Sequence, residues 1–149
     1  MKRVIILHNI RSLLNVGSVF RTADGAGWDM IYLSGFTPTP PRKEISKTAL
    51  GAESWVKWEY YVDIFELIEK LREEKYAIVS IETGKDSFLY DRFEVPENLA
   101  VIMGNEIGGI DQGVLDASDA IIELPMLGKK VSLNVSVTAG IIMYAYRKR

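Results

Sequence analysis

Residues 99–104 read LAVIMG, and the turn that follows, 104–110, reads GNEIGGI. An unbroken apolar run leaves no face for water, so a strand made from it must be covered on both sides. VIILH (4–8), MIYL (30–33), AIVSI (77–81) and AIIELP (120–125) have the same character. Helical spacing lies between them. VDIFELIEKLREEK (62–75) puts Ile64, Leu67, Ile68 and Leu71 on one face of an amphipathic helix. A second helix is expected from Asn15 to Ala26, ended at Gly25 or Gly27 by a left-handed cap. DQGVLDAS (111–118) reads as a short third. Strands alternating with helices predict an α/β fold, a mostly parallel sheet with helices on both faces.

The chain has 149 residues, which fits a single domain spanning 1–149. Its 48% apolar and 26% charged composition is that of an ordinary globular protein. No apolar run reaches the roughly 20 residues of a membrane span, and MKRVIILHN lacks the long apolar core and cleavage site of a signal peptide. The absence of cysteine rules out disulfides and thiolate metal sites, and a single histidine rules out a His-rich one. A cytoplasmic protein without a metal is the expectation. The net charge of −2 gives no global support for a nucleic-acid partner. Its distribution says more. Asp63, Glu66, Glu69, Glu73 and Glu74 crowd one outer helix, whereas Arg42, Lys43 and Lys47, Lys129 and Lys130, and Arg147 to Arg149 form basic clusters. On a shared face these would hold a phosphate backbone.

Several segments carry candidate chemistry. GFTPTPPRKE (35–44) is expected to be loop, because its three prolines exclude helix and central strand. WVKWEYY (55–61) is β-prone. On the 15–26 helix, Val16, Val19, Phe20, Ala23 and Ala26 fall on one side, and Asn15, Ser18, Arg21 and Thr22 form a polar stripe on the other. The stripe is either an ordinary solvated face or a functional one at a strand end. GNEIGGI is not spaced G-x-G-x-x-G, and Glu106 would repel a pyrophosphate, so a dinucleotide is disfavoured. A carboxylate in such a turn suits a ligand with cationic or hydroxyl groups. In ELPMLGKKVSLNVS (123–136) a proline breaks the ladder and leaves backbone groups free for the edge of a purine; the plain reading is a loop with Ser132 as a helix cap. VSLNVSVT (131–138) alternates strictly, the pattern of a strand, and helical spacing starts at Val137.

NVGSVFRT at 15–22, the strand with GNEIGG at 104–109, and LPM followed by SLNVS at 124–136 occur in this order. Together they resemble the three motifs of the SPOUT superfamily, in its SpoU/TrmH branch of RNA ribose 2′-O-methyltransferases. The resemblance implies a deep C-terminal trefoil knot, with SLN entering the last helix rather than a strand. It implies S-adenosyl-L-methionine as methyl donor, with Gly104, Leu124 and Leu133 around the adenosine and Met126, Ser132, Asn134 and Ile81 beside them. Asn15, Arg21 and Glu106 match the family's catalytic positions. Longer relatives carry an RNA-binding domain ahead of the knot, so a minimal form without it is expected. RNA is then gripped by Arg42, Lys43 and Lys47 and by a second subunit. A homodimer also fits residues 137–146, which carry no charge on any side of the helix, and Ala139 and Gly140 permit close approach.

The implied reaction moves a methyl group from a sulfonium to a ribose hydroxyl. A guanidinium stays protonated in proteins, so Arg21 is expected to stabilise the developing alkoxide or clamp the adjacent phosphate rather than act as base. tRNA is the favoured substrate and ribosomal RNA the alternative. The rival readings are a non-catalytic RNA-binding module of the same fold and a nicotinamide-dependent oxidoreductase.

Overall fold

The computed structural model describes residues 1–149. Its strands are β1 (Lys2–His8), β2 (Met30–Ser34), β3 (Trp58–Tyr61), β4 (Ala77–Ile81), β5 (Phe88–Leu89), β6 (Asn98–Met103) and β7 (Ala120–Glu123). They form one sheet in the order β3-β2-β1-β6-β4-β7-β5, and every ladder is parallel. The helices are α1 (Leu13–Ala26), α2 (Lys43–Ala49), α3 (Ile64–Glu73), α4 (Gln112–Asp116) and α5 (Val135–Ala145). None is long and apolar enough to cross a membrane.

The continuous apolar runs are explained by two cores, one on each face of the sheet. Ile5 and Leu7 of β1 and Val101 and Met103 of β6 meet Val16, Val19, Phe20 and Ala23 of α1 and Ala139, Ile142 and Met143 of α5. Their neighbours in sequence, Val4, Ile6, Ala100 and Ile102, point the other way into Ile64, Leu67, Ile68 and Leu71 of α3 and Val114 of α4. The helix ends follow local chemistry. The Ser12 hydroxyl accepts from the Asn15 N–H at 3.2 Å to start α1, and Gly27 ends it at φ 68°.

Four expectations are corrected. Residues 131–134 are irregular and α5 begins at Val135, so the alternating pattern at 131–138 makes no strand. The alternation finds no neighbouring strand to pair with, and the Asn134 side chain accepts from the Ser136 N–H instead, at 2.9 Å. Asn134, not Ser132, is therefore the cap. The proline segment is loop only through Arg42; past the last proline nothing forbids a helix, and α2 buries Ile45 and Ala49 one turn apart. Lys43 and Lys47 consequently sit on a helix. Ala139 lies fully buried within its own chain and serves intrachain packing, whereas Gly140 is only partly covered, with Thr22 of α1 4.0 Å from where a side chain would begin.

α1 and α2 approach closely at Gly17, where an added Cβ would fall inside contact distance of the Thr48 hydroxyl and the Ile45 carbonyl. Ala has a helix propensity about 1 kcal/mol better than Gly, but overpacking costs about 1–3 kcal/mol, and here the obstacle includes backbone. Gly17→Ala is therefore expected to lower the urea midpoint, not raise it.

Candidate active site

β6 ends at Met103, and the next residues fold back on Asn105. Its side-chain oxygen accepts from the N–H groups of Ile107 (3.0 Å) and Gly108 (2.8 Å), its backbone pairs with Gly109, and its amide donates to the Asn9 carbonyl at 2.8 Å. Gly109 takes φ 68°, and a Cβ there would collide with the Glu82 carboxylate. Glu82 follows the carboxyl end of β4 and accepts from the Ile110 N–H at 3.1 Å. Glu106 reaches across to the start of α1. Its oxygens accept from the N–H groups of Arg11 (3.0 and 3.1 Å) and Ser12 (3.1 Å) and from the Asn15 amide at 3.4 Å. Burial alone would raise the Glu106 carboxyl; these donors outweigh it and hold the pKa below the ordinary carboxylate range.

The turn borders a cavity of about 620 Å³ at the carboxyl ends of the strands. Ile81, Gly104, Leu124, Met126, Ser132, Leu133 and Asn134 all line it, as does Glu106. Asn15 is joined to it through Glu106. Residues 125–133 make no backbone hydrogen bond, so their N–H and C=O groups remain available to a ligand. Asn134 spends its side-chain oxygen on Ser136, at 2.9 Å from its N–H and 2.6 Å from its hydroxyl. The lining also includes Glu82, Thr83, Asn105 and Thr138, which the motifs did not single out. Residues 82–83 were findable from the rule that ligands bind at the carboxyl ends of parallel strands.

Arg21 is not brought into this cavity. It stands exposed on α1 with no hydrogen bond or ion pair. Arg42 borders a separate pocket along the proline segment and lies 3.9 Å from Glu44, and Lys43 and Lys47 are exposed on α2.

The sequence model of the SpoU rRNA methylase family matches residues 2–144. The chain belongs to that family. A Staphylococcus haemolyticus protein named for the TrmH tRNA/rRNA methyltransferase family is 31% identical to this SpoU-family chain, over 100% of the chain and 60% of its own length. The tRNA (guanosine(18)-2′-O)-methyltransferase of Thermus thermophilus is 28% identical over 97% of the chain and 74% of its own length. The AdoMet-bound rRNA methyltransferase of Sinorhizobium meliloti superposes with a TM-score of 0.92 at 24% identity, over 97% of the chain and 55% of that structure. The chain thus spans less than two thirds of the first and third of these proteins.

Glu106→Gln is expected to cost about 0.5–1.5 kcal/mol at neutral pH, because the amide oxygen still accepts and solvent screens the charge that is lost. Since the folded pKa lies below the unfolded value of about 4.3, this contribution is complete above that value and fades as pH falls through the folded one. Urea unfolding of both proteins across pH 3–7 checks this: their difference should be flat above about pH 5 and shrink in acid.

Proposed function

We propose that this domain is an RNA ribose 2′-O-methyltransferase that uses S-adenosyl-L-methionine, with tRNA favoured over ribosomal RNA. The observation that carries the reading is the single cavity on which Gly104, Glu106, Leu124 and the 132–134 segment converge. Its volume suits a ligand of that size. The unpaired backbone of 125–133 fits the edge of an adenine, and the Glu82 carboxylate in the lining fits hydroxyl and cationic groups. When bound, the donor supplies an electrophilic methyl group. The Thermus relative supports tRNA by its name, and the name of the Staphylococcus relative covers both RNA classes.

The chain's own residues have distinct tasks. Glu106 fixes the start of α1, and with it Asn15, against the rim of the cavity. Arg21, positively charged and uncommitted, meets the ribose oxygen or the adjacent phosphate and stabilises negative charge as the hydroxyl loses its proton. Because Arg21 stands outside its own cavity, a second copy completes the site. The face for it is apolar: Val137, Ile141 and Tyr144 of α5 are exposed and lie beside α1, where Tyr144 approaches Gly25. The same reading takes the chain to form a deep trefoil knot near its C-terminus and the protein to be cytoplasmic.

Arg21→Ala is expected to keep donor affinity by calorimetry and to lose methyl transfer by about 10²–10³ in a tritiated-methyl assay. Arg21→Lys should fail as well, because a point charge does not replace the fork. Normal turnover by either variant would remove this role. Mapping ribose-methylated nucleotides in total RNA with and without the protein tests the function itself and separates tRNA from ribosomal RNA. RNA held by Arg42, Lys43 and Lys47 should also bind less tightly as salt rises.

A further inference from the structure

The donor cavity shares a wall with another. Asn105, Ile107, Gly108 and Gly109 also line a cavity of about 630 Å³, which His8, Asn9, Arg11, Phe36 and Asp111 complete. Phe36 in turn borders a third pocket of about 530 Å³ along the prolines, with Trp58, Tyr60 and Arg42. The three are neighbours: the 105–109 turn separates the first from the second, and Phe36 borders both the second and the third.

Phe36, between the second and third cavities, is 60% exposed. A lone exposed apolar residue needs no explanation, but this one sits on a backbone held from several directions. Its N–H donates to the Asn9 side chain at 3.1 Å, and the Tyr60 hydroxyl donates to the carbonyl of Gly35 at 2.5 Å. On its other side the buried Thr37 hydroxyl donates to the Leu7 carbonyl at 2.8 Å and accepts from the Ile10 N–H at 3.0 Å. Asn9 and Gly35 take left-handed conformations, φ 54° and 64°, to make these contacts. Ile107, 82% exposed, is held equally firmly by the Asn105 turn. The cavity therefore presents apolar side chains from a fixed frame. Charges of both signs are unspent beside them: the Arg11 guanidinium has no partner, and Asp111 caps α4 without a side-chain hydrogen bond.

A pre-positioned ring, an uncommitted guanidinium and a free acceptor match a ligand with a flat apolar face, an anionic link and a polar edge. An unpaired nucleotide has all three. We propose that this second cavity seats a base of the substrate RNA, stacked on Phe36, with a neighbouring phosphate held by Arg11. The inference rests on the RNA-methyltransferase reading and adds to it the path of the strand. The shared wall puts the seated base at, or next to, the nucleotide whose ribose is modified.

Full-chain wild type and the Phe36→Ala, Phe36→Leu and Phe36→Trp variants are titrated by fluorescence anisotropy with labelled RNA octamers of A, C and U. An octamer of abasic ribose phosphates is the comparison, and calorimetry measures S-adenosyl-L-methionine affinity. Phe36→Ala is expected to weaken base-bearing octamers roughly tenfold to hundredfold, with the abasic octamer and donor affinities unchanged. Phe36→Trp should restore binding. If Phe36→Ala also loses the donor, Phe36→Leu, which keeps apolar bulk without a ring face, carries the same expectation. Wild-type affinity in the variant that keeps the donor, or equal losses on base-bearing and abasic octamers, overturns the subsite. A wild-type protein that binds the donor and none of the octamers removes the RNA reading, and the subsite with it.

Discussion

The site depends on one carboxylate. A helix begins with N–H groups that its own turns cannot satisfy, and the start of α1 turns this need outward, toward Glu106. Arg11 and Ser12 donate their backbone N–H groups to it, and Asn15 adds its amide. Burying the carboxylate is unfavourable, and the donors more than offset that cost. Asn105 extends the tie by donating to the Asn9 carbonyl, and Asn9 accepts from Phe36. The segments that follow β1, β2 and β6 are thereby joined at one end of the sheet. Without Glu106 the turn after β6 would be held to the segment leading into α1 only by the Asn105–Asn9 hydrogen bond, which lies ahead of the Ser12 helix cap.

That tie explains how much was legible in the sequence. The strands were, because LAVIMG and VIILH can only be buried on both faces. So was the meeting of the second and third motifs, since GNEIGG, LPM and SLN line one cavity, whereas no residue of NVGSVFRT, the first, lines it. The function of Glu106 was not. In sequence it is a turn carboxylate free for a ligand, whereas most of its hydrogen bonding goes to a helix start 94 residues away. Arg3 hid in a similar way. In sequence it is one of two basic residues at the chain start; in the fold it is buried and donates to the carbonyls of Tyr146 and Glu97. Partners that far apart leave no local pattern, and the two-residue β5 is too short to show one.

Two of the four residues in the polar stripe on α1 are explained by packing. Ser18 and Thr22 return their hydroxyls to the carbonyls of Leu14 and Ser18, at 3.0 and 2.9 Å. This back-bonding hides polarity within the helix. The Thr22 methyl then lies 4.0 Å from where a side chain of Gly140 would begin. Short polar residues are needed because α5 passes close by, and longer ones such as Glu or Lys would hold it away. Of the four stripe residues only Arg21 is left without a task in the monomer. Helical periodicity marks which side of α1 is polar, but it does not separate the polar residues that help helices pack from the one that remains available.

The two ends of α5 divide these requirements between stability and chemistry. At its C-terminal end the last carbonyls are satisfied by side chains: from two other segments Trp28 donates to Met143 and Arg3 to Tyr146, and Arg147, just past the helix, donates to Tyr144. The Tyr146 hydroxyl adds a bond to the Tyr90 carbonyl at 2.8 Å. At its N-terminal end α5 has its own cap, Asn134, and beyond it the chain makes no backbone hydrogen bond as far back as residue 125. Leu127 and Val131 in that stretch are almost fully exposed. The cavity therefore has one wall set by hydrogen bonds, the 104–110 turn, and one wall fixed only at the point where α5 begins. On the proposed reading, a ligand that pairs with the open backbone of the second wall is selected by its polar edge more than by charge. LPM and SLN, which carry no ionisable group, would then contribute to the site through their backbone.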